Sequence, residues 1–155
     1  MVGATPYVRD IMSQEVVTLK AGDHLDLASD IMKLGRIRHM PVLSGDHLVG
    51  MVTQRDLFRG AVSSVLSFRP SAEREWLAKI RVEEVMTTPV FSAQSDWTVR
   101  QALDLMLDKR IGCLPVVEGE RLIGLLSETD CLRLLVRILA SGDTAPPGRN
   151  GARGS

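Results

Sequence analysis

The stretch "GMVTQRD" at residues 50–56 returns as "GLLSETD" at residues 124–130, with glycine, apolar pair, hydroxyl and carboxylate in the same order. The phrase belongs to a longer repeat. Shifting the chain by 74 residues sets Val8 on Val82, Met12 on Met86, Ala28 on Ala102, Met32 on Met106 and Arg36 on Arg110. The same shift continues without a gap through Pro41 on Pro115, Gly45 on Gly119, Gly50 on Gly124 and Asp56 on Asp130. Two copies of one unit of about 50 residues account for this, because an open solenoid needs at least three. A pseudo-twofold pair is the expected assembly.

Each copy spells the same elements. "VVTLK" and "VFSAQ" read as short strands, β-branched or aromatic and ended by polar residues. A helix follows, with Leu25, Ala28, Ile31 and Met32 in one copy and Val99, Ala102, Leu105 and Met106 in the other at helical spacing. Thr98 and Gln101 have the spacing of a capping box. "MPVL" and "LPVV" then lead through a glycine turn at Gly45 or Gly119 into a second strand, a hairpin signal. A closing helix starts within "TQRDLF" or "SETDCL". The fold class is therefore α/β of the α+β kind, two β-α-β-β-α repeats. Neither repeat can cover its own sheet and helix faces, so the two should pack on each other.

Bulk properties narrow the function. Nineteen basic and nineteen acidic residues leave no net charge to draw the chain toward nucleic acid or an anionic membrane. An anionic ligand must be held locally. Cys113 and Cys131 form no CxxC pair and are too few for a disulfide framework, which fits a reducing, cytoplasmic setting and two small core residues. No signal-peptide pattern opens the chain, and Arg133 and Arg137 break its most apolar helix, so no membrane span is expected. His24, His39 and His47 have no metal-ligand spacing, and no phosphate loop, GxSxG or HExxH motif occurs. No catalytic constellation, metal or required cofactor emerges.

The ordered set of motifs resembles a tandem pair of CBS domains, a Bateman module. The resemblance rests on "VRDIM" and "VEEVM", "HMPV" and "CLPV", and the doubled Gly-apolar-apolar-hydroxyl-x-x-Asp phrase. It covers residues 8–66 as repeat 1 and 82–139 as repeat 2. The resemblance implies a stand-alone, non-catalytic regulatory module that binds an adenosine-containing ligand in clefts between the repeats. Ligands of similar proteins include AMP, ADP, ATP and S-adenosylmethionine, and such modules form homodimers. No effector domain is legible, so a regulated protein partner is expected. The alternative is a ligand-free structural dimerisation scaffold.

The ligand-binding candidates are Thr53, Asp56, Ser127, Asp130, Arg38, His39 and Arg55. A carboxylate at a helix start can accept hydrogen bonds from both ribose hydroxyls, and charge-assisted bonds are the strong ones. Asp56 and Asp130 suit that role, with Thr53 and Ser127 adding hydroxyls toward the ribose or first phosphate. The same residues also read as helix caps. Both roles can coexist, because a capping carboxylate keeps spare lone pairs. Gly50 and Gly124 leave room for a ligand or a neighbouring backbone. The resemblance implies phosphate contacts from the two residues before the Met-Pro or Leu-Pro pair's strand, which are Arg38 and His39 in repeat 1 but Gly112 and Cys113 in repeat 2. The clefts are unequal. Arg55 and Arg36 are possible helpers on the Arg38 side, with Arg110 and Arg121 near the other, although Arg36 and Arg110 also suit helix C-termini. Which aspartate faces Arg38 stays open.

Residues 67–81 read as a helical linker with Trp76, Leu77 and Ile80 on one face. In the last helix Leu132, Leu135, Val136 and Leu139 form a stripe that Leu134 and Ile138 widen beyond one buried face, a homodimer signal. Residues 141–155, rich in glycine and proline, read as a disordered tail.

Overall fold

The computed structural model describes residues 4–62 and 70–142. Repeat 1 contributes α1 (Val8–Ile11), β1 (Leu19–Lys20), α2 (Leu25–Gly35), β2 (His39–Ser44), β3 (His47–Thr53) and α3 (Gln54–Val62). Next comes α4 (Pro70–Leu77), and then repeat 2 supplies α5 (Val82–Val85), β4 (Ala93–Gln94), α6 (Val99–Lys109), β5 (Cys113–Glu118), β6 (Arg121–Ser127) and α7 (Glu128–Ala140). The expected tail falls outside the described residues from position 143 onward.

One six-stranded sheet runs in the order β1-β2-β3-β6-β5-β4, symmetric about its centre. Each repeat closes a β2–β3 or β5–β6 antiparallel hairpin, with Gly45 and Gly119 supplying positive φ of 61° and 62° at the turns. Both hairpins carry a register shift at the same place, Val42/Leu43 and Val116/Val117. The halves join through one antiparallel pairing, His47 with Arg121. The opening strands are shorter than the sequence implies: only Leu19–Lys20 and Ala93–Gln94 pair with the sheet. Val90 and Phe91 instead line the cleft described below, and Val17 is exposed.

The helices form where the apolar spacing puts them. α2 buries Leu25, Ala28 and Met32, and α6 buries Val99, Ala102 and Met106. Both stop on an arginine in the left-handed conformation, Arg36 at φ 51° and Arg110 at φ 54°. In α6 the Thr98 hydroxyl accepts from the Gln101 backbone N–H at 3.2 Å while the Gln101 side-chain Oε1 accepts from the Thr98 N–H at 2.9 Å.

The repeats trade their entering helices. The Val8 N–H donates to the Trp97 carbonyl at 2.8 Å and the Val99 N–H to the Pro6 carbonyl at 2.9 Å, which docks α1 on repeat 2. Symmetrically, the Val82 N–H donates to the Asp23 carbonyl at 2.7 Å and the Leu25 N–H to the Ile80 carbonyl at 2.9 Å. Val8 thus sits in the core of Ala102, Met106, Leu114, Val116 and Leu126, and Val82 in that of Leu25, Ala28, Met40, Val42 and Val52. Leu77 of α4 completes the first core.

The strand glycines answer to this exchange. A Cβ at Gly50 would run into the Met86 thioether, and one at Gly124 would lie 2.6 Å from the Met12 sulfur and 3.0 Å from the Ser13 carbonyl oxygen. The space kept open at both glycines is filled by a methionine of the other repeat, not by a ligand. The Ser13 carbonyl, next to Gly124, is the only backbone among these close neighbours.

Candidate functional site

The sequence writes hydroxyl-x-x-Asp where a strand becomes a helix, and at both junctions the pair caps the helix. Asp56 Oδ2 accepts from the Thr53 N–H at 2.7 Å and from the Thr53 hydroxyl at 3.1 Å. Asp130 Oδ2 accepts from the Ser127 N–H and hydroxyl, both at 2.9 Å. Both carboxylates are nearly buried. Their second oxygens differ. Asp130 Oδ1 lies 4.0 Å from the Arg133 guanidinium, whereas Asp56 Oδ1 has no hydrogen-bond or ion-pair partner among the described residues.

The hairpin register brings the other repeat 1 candidates to Asp56. His39 pairs with Thr53 at the end of the β2–β3 ladder, and the Gln54 N–H donates to the Arg38 carbonyl at 2.9 Å. Repeat 2 reproduces this with Cys113 opposite Ser127 and the Glu128 N–H on the Gly112 carbonyl at 2.9 Å. An isolated bridge, Met51 with Thr87, then holds the segment after α5 against β3 and carries residues 87–91 over the site.

The result is a cleft of about 510 Å³ between the repeats, within the usual range for small-molecule sites. Arg38, His39, Thr53, Arg55 and Asp56 all line it. Ser127 and Asp130 do not; the pseudo-twofold relation carries them to the equivalent position of repeat 2. The aspartate beside Arg38 is therefore Asp56. Arg110 faces the same cleft, not the opposite one, while Arg36 lies outside it. Arg121 sits at the sheet centre across from His47.

Among the lining residues that the sequence reading did not single out are Arg59, Phe91 and Glu128. Arg59 is one helical turn beyond Arg55 in α3, so its placement was available from spacing. Phe91 was read as part of a strand, and its half-exposed ring, with the Lys109 ammonium 5.2 Å from its centroid, depends on where repeat 2 docks.

The electrostatics of the cleft are cationic. Arg38, Arg55, Arg59 and Arg110 form no ion pair among the described residues, against the two carboxylates Asp56 and Glu128. Burial lowers the His39 pKa below its ordinary value; Glu128 pushes it back up, Arg38 pushes it down and Asp56 pushes it up. Burial, with Asp130 and Glu128 adding to it, pushes the Cys113 thiol up to about 12, so it stays protonated and unreactive at neutral pH. Burial also raises Cys131.

A profile for the CBS domain matches residues 8–63 and again residues 82–137. The chain belongs to the CBS domain family. A CBS domain-containing protein of Dictyostelium discoideum is 32% identical over 145 residues, covering 90% of this chain and 96% of its own. A homoserine O-acetyltransferase of Methanohalobium evestigatum is 33% identical over 131 residues, covering 83% of this chain, which spans only 24% of that enzyme's length. Among solved structures, a Vibrio cholerae protein described as an acetoin utilization protein superposes with a TM-score of 0.73 at 29% identity, covering 91% of this CBS pair and 98% of that chain. Another CBS domain pair, solved in complex with 5′-methylthioadenosine and S-adenosyl-L-methionine, gives a TM-score of 0.70 at 26% identity over 83% of this chain and 98% of that one. Among the described residues no helix is long and apolar enough to cross a membrane, and no group of three metal-ligating side chains occurs.

Proposed function

We propose that the chain is a non-catalytic regulatory module that binds an adenosine-containing ligand in the cleft between its repeats. The observation that carries this reading is Asp56, a nearly buried carboxylate that lines the cleft with only Oδ2 engaged in capping, set among guanidiniums that form no ion pair among the described residues. Capping occupies one carboxylate oxygen and leaves the other for the vicinal hydroxyls of a ribose. Thr53 also lines the cleft, Phe91 offers a ring for a base to stack on, and Arg38, His39 and Arg55 supply cationic groups for a phosphate. The related CBS pair bound to 5′-methylthioadenosine and S-adenosyl-L-methionine supports the adenosyl class.

Thermal unfolding of the purified chain with AMP, ADP, ATP and S-adenosylmethionine, each beside its 2′-deoxy analogue, tests the reading. A ligand at a hundred times its dissociation constant adds about 2.7 kcal/mol, roughly 5–10 °C for a chain of this size. The shift should shrink for the deoxy compound. No shift with any of them, in a folded protein, would leave the doubled phrase as a pair of helix caps on a structural scaffold.

The output of such a module has to leave through its surface. α7 exposes Leu132, Leu135, Val136 and Leu139, while Leu134 and Ile138 are half-buried. We propose a second copy of the chain as the occupant of this face, so that closure of a cleft around its ligand alters the geometry between two modules. A ligand biases that geometry only if it binds the two arrangements unequally.

A further inference from the structure

The two halves of the module are built on one plan yet differ at the positions that face charge. Where repeat 1 has Arg38, His39 and Arg55, repeat 2 has Gly112, Cys113 and Thr129. Where repeat 2 places Glu128 at its helix start, repeat 1 has Gln54. The cleft around Asp56 therefore gathers four guanidiniums with no ion pair among the described residues, and the equivalent position of repeat 2 lacks three of the groups that would hold an anion. Guanidiniums without carboxylate partners at the mouth of a cavity are matched by phosphate oxygens, which take two parallel N–H bonds each. A sulfonium cation in the same place would meet like charge.

His39 sits among these groups, half-buried at the end of β2. Arg38 immediately precedes β2, Asp56 faces it from α3, Glu128 faces it from α7, and Arg55, Arg59 and Arg110 complete the charged lining. Burial disfavours its imidazolium and holds its pKa below the ordinary value. A phosphate bound beside it reverses that balance, because an adjacent negative charge favours the imidazolium.

We infer that the Asp56 cleft selects the phosphate-bearing form of an adenosine ligand, takes one such ligand per chain, and takes up a proton at His39 as it does so. This rests on the adenosyl reading of the cleft and adds to it a ligand charge, a stoichiometry and a pH dependence. The module would then answer to a nucleotide more strongly in acidified surroundings. Glu128 acts as a brake: its carboxylate opposes the incoming anion, and Glu128→Gln restores the residue type that repeat 1 itself carries at position 54.

Titration calorimetry on the full chain decides it, with ADP, adenosine and S-adenosylmethionine as probes at pH 6 and pH 8. ADP should bind more tightly than adenosine or S-adenosylmethionine, saturate at one equivalent per chain, and tighten further in Glu128→Gln. Part of any pH slope belongs to the ADP phosphate itself, whose last proton leaves near pH 6. The share belonging to His39 is the difference in slope between the wild type and His39→Gln, and the wild type should show the steeper gain toward pH 6. If that variant does not fold, titrations of the wild type in two buffers of different ionisation enthalpy count the protons taken up with ADP against those taken up with adenosine. S-adenosylmethionine binding more tightly than ADP, two equivalents per chain, or equal proton counts would overturn this inference and leave the adenosyl reading standing. Failure of all three probes would overturn that reading as well.

Discussion

Met86 lies against Gly50 across the boundary between the two repeats, and a single methyl group added at the glycine would coincide with its side chain. Met12 stands in the same relation to Gly124. Each half of the sheet thus carries a notch shaped for a residue from the other half's sequence. The exchange of α1 and α5 makes the two cores depend on each other, so they are expected to unfold together.

Gly50→Ala and Gly124→Ala are each expected to cost about 1–3 kcal/mol through overpacking. Gly124→Ala should be the more damaging, because the Ser13 backbone carbonyl beside it cannot rotate away as a thioether can. Denaturant unfolding of Gly50→Ala, Met86→Ala and the double variant checks the contact directly. Removing the methionine should relieve the added methyl, so the double variant should lose less than the sum of the singles; strict additivity would mean the notch has another cause.

The two aspartates should separate capping from binding. Asp56→Ala and Asp130→Ala each lose a nearly buried carboxylate that accepts two hydrogen bonds, and each should lower stability by about 1–3 kcal/mol. Only Asp56→Ala should also abolish the thermal shift with adenine nucleotides. Equal loss of ligand response in both variants would show that the equivalent position of repeat 2 binds too.

The hydroxyl-x-x-Asp phrase, the hairpins with their glycine turns and the apolar faces of α2 and α6 were legible in the sequence, because each depends on contacts within about ten residues. The repeat made the symmetry of the sheet legible as well. Sequence could not reveal that Val8 serves the core of Leu114 and Leu126, since a shift of 74 residues compares copies without saying which copy packs where. The same limit hid Arg110, Phe91 and Glu128, which reach the Asp56 cleft only after repeat 2 has docked. The strand glycines were legible in part: the close approach was recognised, with the Ser13 backbone beside Gly124 as one of the occupants expected, but the methionines that fill both notches belong to distant segments.

Arg36 and Arg110 end equivalent helices in the left-handed region, at φ 51° and 54°, where a side chain costs roughly 1–2 kcal/mol. Glycine there removes the strain but adds freedom to the unfolded chain, for a net gain of about 0.5–1 kcal/mol. Arg36→Gly should therefore raise the melting temperature and leave nucleotide affinity alone, because Arg36 lies outside the cleft. Arg110→Gly should raise it too but weaken nucleotide binding. If both variants bind as the wild type does, Arg110 contributes no charge to the site.

His39 gives the fold a pH dependence of predictable sign. Its folded pKa lies below the ordinary 6.5, chiefly through burial. Above pH 6.5 it is neutral in both states and contributes no slope. As pH falls below 6.5 the unfolded chain binds a proton that the folded chain refuses, so stability declines down to the folded pKa. Urea unfolding at pH 7.5 and pH 5.5 should show a smaller loss in His39→Gln than in the wild type, and an identical loss would assign the dependence to other groups.

Leu132 and Val136, at 60% and 65% exposure, lie one turn apart, and Leu135 and Leu139 extend the same face. A solvent-facing stripe of four aliphatic residues on one helix favours association, and a specific homodimer buries on the order of 1,600 Å² in all. Wild-type chain should sediment as a dimer at micromolar concentration. Leu135→Glu with Leu139→Glu should sediment as a folded monomer, because two carboxylates per chain would be buried against their own copies across a twofold interface. Since neither residue touches the cleft, the monomer should still bind a nucleotide, and any change in affinity would measure the coupling between ligand and assembly. A wild type that stays monomeric, or a doubly charged variant that still dimerises, would remove α7 from the interface.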